Sequence, residues 1–171
     1  MDNENDLGEF VRLMREHKGI VYKVCNSYCS NREDREDLAQ EIIYQLWRSG
    51  NTFRASQKFS TWMYRVALNV AISFYRKRKS ANAVVSYKEH LTEIEDQDDT
   101  DYENELERAR RIMQQSIHEM KELDRALIIL FLEAKGYREI AEILGITETN
   151  VATKINRIKE KLKQKILANN K

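Results

Sequence analysis

Three groups of side chains in this sequence are typed and spaced for recognition by charge and hydrogen bonding. Asp37, Gln40, Glu41 and Tyr44 recur at i, i+3, i+4 and i+7, which puts them on one face of a helix. Such a face is either solvated or fitted to a basic or polar helix of another protein. Further along, Glu148, Thr149, Asn150, Thr153, Lys154, Arg157 and Lys161 share one side of a second helix, with Thr147 as its N-cap. Those groups can donate or accept at base edges and phosphates of a duplex. Between the two, a polar loop with Phe53 and Arg54 leads into Phe59-Ser60-Thr61-Trp62 and a helix bearing Arg65, Asn69, Ser73, Arg76 and Lys77. Rings among cations suit unpaired nucleic acid, because the rings stack on bases while the cations hold phosphates. A place in the core is the simpler expectation for Phe59 and Trp62. Phe53, in its polar loop, has less reason to be there.

Covalent chemistry is not encoded in the same way. The histidines, His17, His90 and His118, are scattered and adjoin no plausible nucleophile, and no glycine-rich phosphate loop occurs. Cys25 and Cys29 are i, i+4 neighbours that could share a metal. With no nearby His or further Cys, they read as core thiols. No metal, no cofactor and no catalytic residue is expected, so a hydrolase is disfavoured.

The elements that must carry these groups are helices. The chain of 171 residues contains no proline and only five glycines, which removes most helix breakers. Hydrophobic residues make up 42%, enough for small cores. No stretch approaches the roughly 18 consecutive apolar residues of a membrane span. The acidic start, MDNENDLGEF, lacks the apolar run of a secretory leader, so a cytoplasmic protein without membrane insertion is expected.

Apolar spacing predicts one helix over 6–29, or two broken near Gly19, and another from about 31 to Arg48. Gly50 is suited to a left-handed cap of that helix. A basic helix is expected over about 60–79 and a further one from 108 to 120. Leu123-Asp-Arg-Ala-Leu127-Ile-Ile-Leu130-Phe-Leu132 reads as a core helix. The short helix Tyr137–Leu144, the Gly145 turn and the capped basic helix read as a helix-turn-helix, with Val151, Ile155, Ile158 and Leu162 inward.

The net charge of +1 hides a segregation. Residues 89–107 hold ten acids and no Lys or Arg, whereas Thr61–Lys79 and Thr147–Lys171 each carry a net +5. Two basic segments around an acidic spacer favour a polyanionic partner. The spacer also reads as a domain boundary, because it cannot bury enough apolar surface to offset its ordering entropy. The expected organisation is thus all-α: a helical domain over 1–80, an acidic flexible linker over 81–107 with a reach of roughly 30 Å, and a helix-turn-helix domain over 108–171.

Three motifs in this order resemble the bacterial RNA polymerase sigma factors of the extracytoplasmic-function (ECF) type, the minimal members of the sigma-70 family. Asp34-Arg-Glu-Asp37-Leu-Ala-Gln40-Glu41-Ile-Ile-Tyr-Gln-Leu46-Trp47 is similar to the family's D-x-E-D-L-x-Q-E-x-F-x-x-L-W. Phe59-Ser-Thr-Trp62-Met-Tyr-Arg65-Val66-Ala67-Leu-Asn69 is similar to F-x-x-W-L-Y-R-I-A-x-N. Tyr137-Arg-Glu-Ile140-Ala141-Glu-Ile-Leu144-Gly145-Ile146-Thr147-Glu-Thr-Asn150-Val151 resembles Y-x-E-I-A-E-I-L-G-I-S-x-x-T-V. The resemblance covers nearly the whole chain and implies two domains, called σ2 and σ4.

It also implies roles. Asp37, Gln40 and Glu41, with Tyr44 beside them, would dock on the β′ clamp helices of core polymerase, and the polymerase β flap is a further implied contact. Phe53 and Asn69 would hold a flipped base of the −10 element, with Arg54, Trp62, Arg65, Ser73, Arg76, Lys77 and Arg78 around the strand. Thr147, Thr149, Asn150, Thr153, Lys154, Arg157 and Lys161 would read −35 duplex. The family often has Thr and Lys where Asn150 and Ala152 stand here. An anti-sigma factor is an implied partner. The competing reading of the residues is a stand-alone helix-turn-helix regulator.

Overall fold

The computed structural model describes residues 4–85 and 105–169. Eight α-helices are seen among them: α1 (Glu4–Glu16), α2 (Gly19–Tyr28), α3 (Arg32–Arg48), α4 (Phe59–Val85), α5 (Glu105–His118), α6 (Glu122–Leu132), α7 (Tyr137–Leu144) and α8 (Glu148–Asn169). A single 3-10 turn, Gly50–Thr52, follows α3. There is no strand among the described residues. Both ends of the segment read as linker are helical, since α4 continues to Val85 and α5 begins at Glu105; its remainder, 86–104, lies outside the described residues.

The N-terminal half packs α2, α3 and α4 against one another, and Phe10, Leu13 and Met14 of α1 join the same core. Asn31 starts α3 by accepting a 2.8 Å hydrogen bond from the Asp34 amide. Leu38, Ile42 and Leu46, four residues apart, are then fully buried against α2 and α4. Each such burial contributes about 1.5–3 kcal/mol. The same helix turns Asp37, Gln40, Glu41 and Tyr44 outward. Of the two possibilities for 6–29, the broken helix is the one seen. The break falls at His17–Lys18, where the His17 ring bonds the Leu13 carbonyl at 3.0 Å.

Gly50 does not take the left-handed cap expected of it. Among the described residues, positive φ occurs only at Gly145 and Ala134. The chain leaves α3 instead through the 3-10 turn, closed by Thr52 N to Ser49 O at 2.8 Å and Phe53 N to Gly50 O at 3.2 Å.

The C-terminal half builds its core from Leu127, Leu130, Ile140, Ile143, Val151, Ile155 and Ile158. Gly145, at φ +66°, reverses the chain after α7, and the Ile146 amide reaches back to Ala141 O at 3.2 Å. Thr147 Oγ1 then accepts from the Asn150 amide at 3.2 Å and caps α8. The helix-turn-helix expected here is thus formed, with α8 as its exposed second helix.

The two halves share one continuous buried cluster, in which α6 packs on α2 and α4, and α7 on α4. At its centre lies a charge, Arg125, only 1% exposed. Its guanidinium stacks between the rings of Tyr28 and Tyr75, at 5.0 and 4.7 Å. It donates to the carbonyls of Tyr28, His118 and Met120. An unmatched buried cation would cost several kcal/mol; here only Nε lacks a partner. The Tyr28 hydroxyl completes the seam by donating to Glu122 O at 2.6 Å.

Candidate nucleic-acid interface

The polar faces of α3 and α4 meet across one open groove of about 780 Å³. Asp37, Gln40, Glu41 and Tyr44 form one wall, and Asn69, Ser73 and Lys77 the other, over a floor of Val70 and Phe74. Two sets of residues that the sequence assigned to different partners therefore stand side by side. Tyr44 is 58% exposed, and Gln45 Nε2 holds the Glu41 carboxylate at 2.9 Å.

Phe53 is not a ring free in a loop. It is half-buried, edge-on to Phe59 at 5.1 Å and tilted against Trp62 at 5.7 Å. Phe10 adds a third neighbour to Phe59 and Trp62, at 5.8 Å from each. Phe53 also lines a cavity of about 450 Å³ with Glu9, Phe10, Leu13, Gly50, Asn51 and Ala55. Trp62 has to be moved from the DNA-facing set to the core. It is 3% exposed, and its indole Nε1 donates to Thr52 Oγ1 at 3.1 Å. Arg54 is exposed at the rim.

Arg65 and Arg76 lie on α4 as expected, but both are engaged by the C-terminal half. Arg65 Nη2 donates to the Glu142 carbonyl at 3.2 Å and to its carboxylate at 3.4 Å. Arg76 Nε meets Glu122 Oε1 at 2.8 Å, and this bond holds the Glu122 carboxyl below its usual range. Thr61 Oγ1 donates to Glu139 Oε1 at 2.7 Å. Burial alone would push Glu139 up, but hydrogen bonds from Lys135 and Thr61 outweigh it and leave that carboxyl low. Arg78 is tied to Asp34 and lies over the Phe74 ring.

On α8, Thr149, Asn150, Thr153, Arg157 and Lys161 are exposed, as is Thr147 ahead of it. Lys154 is half-buried, with its ammonium 3.9 Å from Asp124. Thr153 Oγ1 is turned to the Thr149 carbonyl at 3.0 Å. Cys25 and Cys29 are buried free thiols, as read, and burial pushes Cys25 up to about 12. Sequence reasoning missed the row Glu122, Glu133, Glu139 and Glu142 and the cation Arg125. The available signal was an arginine inside the most apolar run of the chain.

Residues 13–81 match the family model for sigma-70 region 2, and residues 103–162 match that for sigma-70 region 4. The chain belongs to the sigma-70 family. It is an RNA polymerase sigma factor of the ECF type, an initiation factor and not an enzyme, and the stand-alone regulator falls away. It is 29% identical to the ECF RNA polymerase sigma factor SigW of Bacillus subtilis, over 95% of this chain and 91% of that protein. Identity is also 29% to the ECF RNA polymerase sigma-E factor of Haemophilus influenzae, over 95% and 90%. Two solved structures share the fold. One is sigma factor RpoE with the anti-sigma factor NepR, from Bartonella quintana: TM-score 0.66, 16% identity, covering 96% of this chain and 98% of that one. The other is CnrH with the cytosolic domain of CnrY: TM-score 0.65, 21% identity, covering 93% and 88%. Among the described residues, no helix of this sigma factor is long and apolar enough to cross a membrane.

Proposed function

We propose that the sigma factor divides promoter recognition among the three surfaces described above. Asp37, Gln40, Glu41 and Tyr44 dock on the β′ clamp helices of core polymerase, where a basic clamp side chain would make charge-assisted hydrogen bonds. Phe53 and Asn69 hold an extruded −10 base, with Arg54, Arg65, Ser73, Arg76 and Lys77 along the strand. Thr149, Asn150, Thr153, Arg157 and Lys161 of α8 enter the −35 duplex, with Thr147 and Lys154 at its edge. The domains are σ2 over 1–80 and σ4 over 108–171, joined by the acidic segment. Stacking and cationic contacts would offset the few kcal/mol of extruding a base, and tethering two weak readers on one polymerase makes the pair selective. An anti-sigma factor, as in the two solved relatives, and a cytoplasmic location belong to this reading.

The observation that carries it is the single groove between α3 and α4. A polymerase helix seated on its acidic wall would lie directly beside Asn69, Ser73 and Lys77, coupling docking to capture of the −10 strand. Competition for core polymerase on native gels tests this. Asp37→Ala and Gln40→Ala, both at exposed positions, are expected to compete poorly while keeping a wild-type circular dichroism spectrum. Undiminished competition by both would remove this face from the docking surface.

A further inference from the structure

Arg35 is a partly shielded cation without a counter-charge. Among the described residues, the half-buried arginines are Arg35, Arg65 and Arg78. Arg65 meets the Glu142 carboxylate, and Arg78 that of Asp34. Arg35 meets no carboxylate among the described residues. Its Nη1 donates to Asn26 Oδ1 at 3.2 Å, a neutral acceptor, and most of its N–H donors remain unused. Shielding such a cation carries a desolvation cost that an anion would offset. Arg35 lines an open cavity of about 340 Å³ where α2, the start of α3 and the end of α5 meet. Ser27 and Ser30 line it beside Asn26, and Gln114 and His118 line it from α5. None of its described lining residues is Asp or Glu, whereas in the α3–α4 groove Asp37 and Glu41 accompany Lys77. Burial, with Arg125 and Arg35, holds the His118 imidazole below its usual range. The ring is therefore neutral at pH 7 and donates through one nitrogen. Ser27 Oγ gives its proton to the Lys23 carbonyl at 2.8 Å. Arg35, Ser30, Gln114 and His118 are left as donors for a ligand.

We propose that this cavity binds a small phosphate monoester, with the phosphoryl group on Arg35, Ser30, Gln114 and His118. Four donor side chains exceed what the two oxygens of a carboxylate call for. A phosphoryl group brings three acceptor oxygens and a charge of about −1.5 to −2, and the planar guanidinium fork matches its geometry. The volume of about 340 Å³ is at the small end of ligand sites, roughly 300–1,000 Å³. That is more than a bare phosphate fills, so an organic remainder fits beside it. Tyr22, 71% exposed on the same lining, offers that remainder a ring to lie against.

Ribose 5-phosphate is the probe, with inorganic phosphate and ribose beside it, each titrated calorimetrically into the full-length protein in phosphate-free buffer. Saturable one-to-one binding of ribose 5-phosphate is expected, with weaker binding of phosphate and none of ribose. Arg35→Gln keeps an amide for Asn26 and removes the charge. It is expected to weaken binding about ten-fold or more, the worth of a charged hydrogen bond. Gln114→Ala, at an exposed position where a folding failure is not expected, should cost about two- to ten-fold, the worth of a neutral one. In the imidazole region of the ¹H–¹⁵N spectrum, the His118 resonance, assigned with His118→Gln, is expected to shift on titration while that of His17 stays. Absence of saturable binding overturns the site, and so does undiminished binding by both Arg35→Gln and Gln114→Ala. Binding lost in Arg157→Ala but kept in Arg35→Gln would put the phosphate on the DNA-facing helix and overturn it too. Binding that leaves His118 unshifted has the same consequence. Inorganic phosphate or ribose bound as tightly as ribose 5-phosphate would overturn the monoester.

Discussion

Phe53 is the residue at which packing and promoter melting can be separated. Its ring does two jobs: one edge rests on Phe59 and Trp62, and another surface lines the cavity shared with Asn51 and Ala55. Truncating a fully buried Phe to Ala costs about 3–5 kcal/mol. Phe53 is half-buried, so Phe53→Ala is expected to lower stability by about 1–3 kcal/mol, including the lost aromatic pairs at about 0.5–1.5 kcal/mol. A stacked base is worth a further ~1–3 kcal/mol, which is about five- to 150-fold in open-complex formation. Phe53→Leu refills most of the volume without a ring to stack on a base. It is expected to restore most of the stability and little of the melting. Urea denaturation gives the first quantity and permanganate reactivity of −10 thymines in the holoenzyme gives the second. If Phe53→Leu melts promoter as well as wild type, stacking is not its function and the ring is a packing residue. If Phe53→Ala loses melting only in proportion to unfolded protein, the same conclusion follows.

Two further outcomes follow from local geometry. Ala134 closes α6 at φ +55°, with the Lys135 amide bonded to Leu130 O at 3.1 Å; Ala134→Gly is therefore expected to raise stability by about 0.5–1 kcal/mol, read as a higher urea midpoint at constant m-value. On α8, Arg157→Ala is expected to cost about 1–3 kcal/mol of −35 duplex affinity if the contact is bidentate to a base, or about one unit of salt slope if it is to phosphate, whereas Lys154→Ala has a smaller effect because that ammonium faces Asp124; anisotropy titrations over a range of salt separate the cases.

Much of this was legible in the sequence because it is periodic or locally capped. Leu38, Ile42 and Leu46 had to face inward once their spacing was seen, and that turned Asp37, Gln40, Glu41 and Tyr44 outward. Thr147 and Gly145 announced the turn before α8 through their own chemistry. What the sequence did not carry was set by contacts far apart along the chain. Gly50 is the local exception: it is suited to a helix cap, but the Ser49 and Gly50 carbonyls close a 3-10 turn instead. Trp62 sat among DNA-facing neighbours by register, yet the rings of Phe10, Phe53 and Phe59 enclose it. Arg125 read as one polar residue in an apolar helix; only the tertiary fold brings Tyr28 and Tyr75 to its two faces. The glutamates of α6 and α7 find their partners only once α4 is packed against them.

The central question is whether one groove serves both polymerase and promoter. Run-off transcription with bacterial core RNA polymerase, on a genomic library of promoter fragments, tests this most directly when wild type is compared with Asn69→Ala. The expected result is discrete transcripts that require the sigma factor, with an Asn69→Ala variant that retains core binding and recovers only in part on templates with a pre-melted −10 bubble. Full transcription by Asn69→Ala from intact duplex would contradict it, and so would any loss in that variant that tracks core binding rather than melting.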